Sequence, residues 1–219
     1  MRHLITGAGS GIGHELTLRL RDRGDELVLV VRDPARAADF PEATVLVADL
    51  ADPGAIEALD LPDRLDSLVH AAGVVELGSV SELDAAAWTG QVAVNLVGPA
   101  LLTRVALPAL RAAEGTIVMV NSGAGLRANP GWAAYAASKF GLRALADAVR
   151  AEERPHGVRV TSVFPGRTAT PMQEKVHRQE GKTYDASDWV RAATVVDTIV
   201  SVLDLPPDAT VPEVSVTPR

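Results

Sequence analysis

Two side chains that could do chemistry together lie in the run Tyr135-Ala136-Ala137-Ser138-Lys139. A phenol and an ammonium four residues apart among helix formers share one helix face, because side chains at i and i+4 stack one above the other. A phenol normally keeps its proton to about pH 10, and a fixed positive charge nearby favours the phenolate, so the pair can act as a general acid/base near neutrality. By itself the spacing equally describes a half-buried tyrosine beside a solvated lysine. Two more candidates precede the pair. Ser122 follows the apolar run Thr116–Val120 in Asn121-Ser122-Gly123-Ala124-Gly125, and a hydroxyl at the C-terminal end of a strand is where open parallel sheets place their chemistry. Asn95 sits among apolar residues of a long helical stretch, about 84–110; a buried amide must find partners, which leaves a structural and a catalytic role both open.

The elements that must position these groups alternate along the chain. Arg2 to Thr6 is a short apolar strand that runs into Gly7-Ala8-Gly9-Ser10-Gly11-Ile12-Gly13, after which Ile12, Leu16 and Leu20 recur at helical spacing up to Gly24. Strand, glycine loop and helix in that order favour a dinucleotide-binding motif over a plain loop. The glycines let the backbone turn sharply and touch a pyrophosphate, which then meets the free N–H groups of the helix N-terminus. Leu27 to Val31 is a second strand, and its tip Arg32-Asp33-Pro34-Ala35-Arg36 is where an adenosine ribose should lie. Two signals conflict there. Asp33 could read the 2′-hydroxyl of NAD, whereas Arg32 with Arg36 could bind the 2′-phosphate of NADP.

Thr44 to Val47 reads as a third strand leading to Asp49 and Leu50, with Asp49 a candidate for the adenine amino group. Leu68-Val69-His70 is a fourth, ending in Ala71-Ala72-Gly73, whose small residues allow a ligand close to the backbone. A helix from about 131 to 153 carries Tyr135 and Lys139 and is lined with alanine and glycine, which suits close packing in its own core or across a symmetric dimer. Val158 to Phe164 is the sixth strand and stops at Pro165-Gly166. The polar stretch 167–186, with Thr168, Thr170, Pro171 and Met172, shows no firm pattern and is expected to be a substrate loop, as a lid or as ordinary surface. Ser187 is expected to cap a last helix to about Leu203, and Glu213 to Val216 alternates like a seventh strand. The expected fold class is α/β: a Rossmann-type, doubly wound, mostly parallel seven-stranded sheet with helices on both faces, in one domain over 1–219.

Composition narrows the partners. The 219 residues are 47% hydrophobic and carry a formal net charge of −7, which disfavours a nucleic-acid groove or an anionic membrane surface. There is no cysteine, and the five histidines are scattered without metal-ligand spacing, so no metal is expected. The uncharged run 85–103 holds Gln91, Asn95, Gly98 and Pro99, which suits a buried helix rather than a membrane span. The glycine cluster follows the first residues too closely for a signal peptide, and a cytoplasmic setting is expected.

Taken together the motifs resemble the short-chain dehydrogenase/reductase family. Thr6 to Gly13 is similar to its TGxxxGxG loop, Tyr135 to Lys139 to its YxxxK, and Pro165-Gly166 to the PG after its sixth strand; Ser122 and Asn95 fall where the family places its serine and its helical asparagine. One departure is His70-Ala71-Ala72-Gly73, where the family has NNAG or NAAG. The resemblance implies hydride transfer between a nicotinamide cofactor and an alcohol or carbonyl compound. It assigns Tyr135 as acid/base, Lys139 as the group that lowers the phenol's pKa and holds a ribose, Ser122 as the anchor of the reacting oxygen, and Asn95 as the holder of a relay water. It places Gly7, Gly9, Ser10, Gly11, Ile12, Gly13, Arg32, Asp49, Leu50, Ala71, Ala72, Gly73, Asn95, Tyr135, Lys139, Pro165, Gly166 and Thr168 at the cofactor. By the family's register Arg32 stands where NADP-preferring members carry a base, which tips the expectation to NADP(H) over NAD(H). A homodimer or homotetramer is expected, and a non-catalytic NADP(H)-binding redox sensor is the competing function.

Overall fold

In a computed structural model, which describes all of residues 1–219, seven strands form one sheet: β1 (Arg2–Thr6), β2 (Glu26–Val31), β3 (Thr44–Val47), β4 (Ser67–His70), β5 (Thr116–Val120), β6 (Arg159–Pro165) and, after two short strands, β9 (Glu213–Val216). Their order is β3-β2-β1-β4-β5-β6-β9, with every pairing parallel. Parallel strands need crossovers, and helices supply them on both faces. The alternation of side chains within each strand fills two cores at once. Leu4, Ile117 and Met119 point into the core with Leu102, Ala106, Leu142 and Ala146, while Ile5, Val118 and Val120 point into the other with Leu16, Leu20, Val195 and Ile199.

The helices are α1 (Gly11–Asp22), α2 (Pro53–Glu57), α3 (Ala85–Val92), α4 (Gly98–Arg111), α5 (Ala133–Glu153), α6 (Pro171–Gln179) and α7 (Ala192–Leu203). A π-helical turn, Ala93–Val97, joins α3 to α4. The joined stretch is long and apolar enough to cross a membrane by length and composition. Here α4 lies on the sheet and buries Leu102, Ala106 and Leu110, and the π turn buries Asn95. The small residues of α5 serve packing within the chain at Gly141, where a Cβ would come within 2.6 Å of Leu96 Cδ2.

Two expectations need correction, and one element is new. Residues 167–186 are not an open loop: Thr168–Ala169 (β7) pairs with Val190–Arg191 (β8), and α6 lies between them. Ser187 does not cap the last helix, because its N–H and hydroxyl both donate to Asp185, and α7 starts only at Ala192. The short helix α2, capped by the Asp52 carboxylate on the N–H groups of Gly54 and Ala55, was not foreseen.

Candidate active site

Strand order reverses direction between β1 and β4, and beyond their C-terminal ends lies a cleft of about 610 Å³. Open α/β sheets bind ligands at such a switch point. Gly7, Gly9, Ser10, Gly11, Ile12, Arg32, Asp49, Leu50, Ala71, Ala72, Gly73, Ser122, Tyr135, Lys139, Pro165, Gly166 and Thr168 all line it.

The first turn of the glycine loop requires glycine. Gly7 has φ +79°, and a Cβ there would meet Ala72 N at 2.6 Å; Gly11 has φ +59°. A Cβ on Gly13 would lie 2.3 Å from Gly7 O, so Gly13 sets the close approach of α1 to β1 and does not itself line the cleft. Ser10 occupies the N-cap without a side-chain hydrogen bond. The first N–H groups of a helix have no intrahelical partner, and these open toward the cleft, a cradle that fits a pyrophosphate. Thr6 fixes the opposite wall, its Oγ1 accepting from the N–H groups of Ala71 (3.2 Å) and Ala72 (3.1 Å).

At the tip of β2 the Asp33 carboxylate accepts from Ala35 N at 3.0 Å and caps the turn Pro34–Ala37. The Arg32 guanidinium is free to solvent at 74% exposure and stands 4.0 Å from Asp49. Arg36, which also lines the cleft, lies across Gly9, where a Cβ would touch its side chain at 2.8 Å.

Tyr135 and Lys139 lie one turn apart on α5 and are both buried, with the Lys139 Nζ 5.9 Å from the phenol ring centroid. Nζ donates to Val120 O at 3.1 Å, at the end of β5. Burial brings the Lys139 ammonium down to about 8. Burial also raises the Tyr135 phenol above its ordinary range, while the Ser122 hydroxyl beside it pulls the other way. Loss of hydration on burial thus opposes the phenolate form.

Asn95 turns its side chain into the protein. Its side chain lies behind the cleft wall, outside the lining, with Oδ1 accepting from Val74 N (2.8 Å) and Nδ2 donating to Val74 O (2.9 Å) and Ser138 Oγ (3.0 Å). Both amide hydrogens are spent on protein atoms, so the side chain has no donor left for a water. Sequence reasoning passed over Asn121. Its Nδ2 donates to Lys139 O (3.1 Å) and its Oδ1 accepts from Ser122 N (2.9 Å), clamping the serine to the tyrosine–lysine helix. Gly125 makes the room, since a Cβ there would strike Asn121 Oδ1 at 2.4 Å. Arg167, directly after Pro165-Gly166, was also missed and lines the cleft beside Trp132.

The family model described as short chain dehydrogenase matches residues 2–181. The chain belongs to the short-chain dehydrogenase family. It is 35% identical over 186 residues to the uncharacterized oxidoreductase YbbO of Escherichia coli K12, covering 81% of this chain and 69% of the relative. It is 32% identical over 198 residues to trans-4-hydroxycyclohexanecarboxylate dehydrogenase of Sinomonas cyclohexanicum, covering 82% and 76%. An alcohol dehydrogenase from the archaeon Thermococcus sibiricus, solved with 5-hydroxy-NADP, shares the fold at a TM-score of 0.88 and 22% identity, over 99% of this chain and 96% of that one. Membership makes the protein an oxidoreductase of a nicotinamide-using family.

Proposed function

We propose that the protein transfers a hydride reversibly between NADP(H) and a small alcohol or carbonyl compound, with Tyr135 as the proton donor and acceptor. The observation that carries this reading is that Ser122, Tyr135 and Lys139 open into the same cleft as the glycine loop. The nicotinamide cofactor, when bound, supplies or takes up the hydride. Gly7 to Ile12 and the α1 N-terminus would hold its pyrophosphate, Ala71 to Gly73 with Pro165, Gly166 and Thr168 the nicotinamide half, and Asp49 and Leu50 the adenine. Ser122 would donate a hydrogen bond to the reacting oxygen, and Tyr135 would give that oxygen its proton or remove it. Tyr135 stands in the first turn of α5, where the helix dipole and the Lys139 charge both favour phenolate against the burial that opposes it. Asn95 would act by fixing Val74 and Ser138, and any proton relay would leave from Lys139.

NADP(H) is favoured over NAD(H) because Arg32 presents an exposed cation at the ribose end, held only by a long 4.0 Å contact to Asp49, with Arg36 also lining the cleft, while the Asp33 carboxylate is committed to its own turn. Exposed Phe140 and Val97 support self-association as a homodimer or homotetramer, which light scattering would report. The test is NADPH oxidation with a panel of aldehydes and ketones, with NADH in parallel. Turnover that Tyr135→Phe abolishes, and tighter binding of NADPH than NADH that Arg32→Ala equalises, are expected. A Tyr135→Phe variant as active as the parent would overturn the mechanism, and tight NADPH binding without turnover on any carbonyl would favour the sensor.

A further inference from the structure

Beyond the cofactor half, the cleft closes over Tyr135 with Val75, Ala124, Trp132, Met172 and Val176, an apolar wall in which the Trp132 and Tyr135 rings meet edge to face at 5.9 Å. Six charged residues line the cleft. Arg32, Asp33, Arg36 and Asp49 belong to the ribose end and Lys139 is buried under Tyr135, so Arg167 is the one remaining charge at the substrate end.

That charge is already answered. The Arg167 guanidinium stacks on Trp132 (5.9 Å to the ring centroid) and on Trp189 (5.3 Å), and makes a two-pronged bond to Glu180 through NH1 (3.0 Å) and NH2 (2.6 Å). Lys182 Nζ, largely exposed, adds 3.2 Å to the same carboxylate. Bonding to Arg167 holds the Glu180 carboxyl below its usual range, so the pair stays ionised at neutral pH. The parallel NH1/NH2 donor pair is thus occupied by the protein's own carboxylate, which also neutralises the guanidinium charge. The next ion pair on α6, Lys175 with Glu76 at 2.7 Å, is also closed and does not line the cleft.

We infer that the Arg167–Glu180 pair, held between Trp132 and Trp189, makes the substrate end selective for uncharged apolar carbonyl compounds and their alcohols, and that Glu180 is the residue that withholds Arg167 from carboxylate substrates. This rests on the cleft being a hydride-transfer site. An anion entering this wall would lose its hydration without a free cation to meet it. Releasing Arg167 would supply one.

The test compares methyl 4-oxocyclohexanecarboxylate with its free acid, the same ring with and without a charge. Binding is followed by tryptophan fluorescence with NADPH present, and turnover by NADPH oxidation. The parent should prefer the ester by at least about tenfold, and Glu180→Gln should shrink that ratio by about tenfold, the worth of one charge-assisted bond. Arg167→Met, which leaves the Glu180 carboxylate beside the wall, should raise the ratio and covers the case in which Glu180→Gln fails to fold. A parent that binds the acid as well as the ester, a ratio unmoved by either variant, or binding of neither compound would overturn the inference. Ester-selective binding without NADPH oxidation would instead overturn the hydride-transfer reading and leave the charge filter standing.

Discussion

The Asn95 side chain holds both backbone groups of Val74, accepting from its N–H at 2.8 Å and donating to its C=O at 2.9 Å. It thereby acts as a one-residue substitute for a strand neighbour, tying the chain after Gly73 to the π turn between α3 and α4. Asn95→Ala would leave the Val74 groups and Ser138 Oγ short of partners, at a cost of about 1–3 kcal/mol. The expected outcome is a lower urea midpoint together with reduced activity. Asn95→Asp should do no better, since a carboxylate cannot donate to Val74 O; a variant with parental stability and turnover would show that the clasp is dispensable.

Glycine to alanine should have opposite signs at two positions. At Gly13 the added methyl would lie 2.3 Å from Gly7 O and 2.7 Å from Gly7 C, and both are backbone atoms that cannot swing away. Overpacking there should cost about 1–3 kcal/mol or more and open the glycine cradle, weakening NADPH binding. At Gly90, inside α3, the methyl meets nothing within 4 Å, and alanine should stabilise by about 0.5–1 kcal/mol through helix propensity. Thermal unfolding of the two variants beside the parent checks both signs.

The contrast between these two glycines reflects what was legible in the chain. All seven sheet strands could be read: the five inner ones are buried on both faces and so appear as apolar runs bounded by turns, while the edge strands β3 and β9 are partly exposed and β9 shows the alternation of a half-exposed strand. The glycine loop and the Tyr135–Lys139 spacing are likewise local signals. Helix α6 escaped because two of its three buried residues, Gln173 and His177, are polar, so no apolar period appears. Its start was nonetheless marked: Thr170 caps Gln173 N, with Pro171 at the first helical position, and Gln173 stands where a capping box puts its glutamine. The π turn, the Asn121 clamp and the Arg167–Glu180 pair depend on contacts between segments distant in sequence or on a register slip within a helix, and no local pattern announces them.

His70 should make the protein acid-sensitive. It is fully buried, with Nε2 bonded to Thr103 Oγ1 at 2.9 Å and Nδ1 without a partner. Burial, helped by the Lys139 charge, brings its pKa from 6.5 to about 3. Below pH 6.5 the unfolded chain takes up a proton that the folded chain refuses. Folding stability therefore falls as pH drops from 6.5 toward 3, by up to about 1.4 kcal/mol per pH unit from this residue. His70→Asn should remove that slope. Urea midpoints at pH 7, 5.5 and 4.5 should show the variant gaining on the parent as pH falls; parallel curves would disprove the assignment.

Lys139 should show stability traded for chemistry. Its ammonium is buried and comes down from 10.5 to about 8 through burial alone, which means that the folded state disfavours the charge. Between pH 10.5 and 8 the unfolded chain binds a proton that the folded chain does not, so stability declines as pH falls through this window. Below pH 8 the full penalty is present, up to about 3 kcal/mol, partly offset by the bond to Val120 O. Lys139→Met, which keeps the length and loses the charge, should therefore be more stable than the parent at pH 7 and lose that advantage toward pH 10.5. It should also lose turnover, since neither the phenolate nor a ribose hydroxyl would then have its cation. Denaturant titrations at pH 7 and 10 beside an NADPH oxidation assay test both halves. A variant less stable than the parent at pH 7 would mean that the hydrogen bond to Val120, rather than the desolvated charge, dominates at this position.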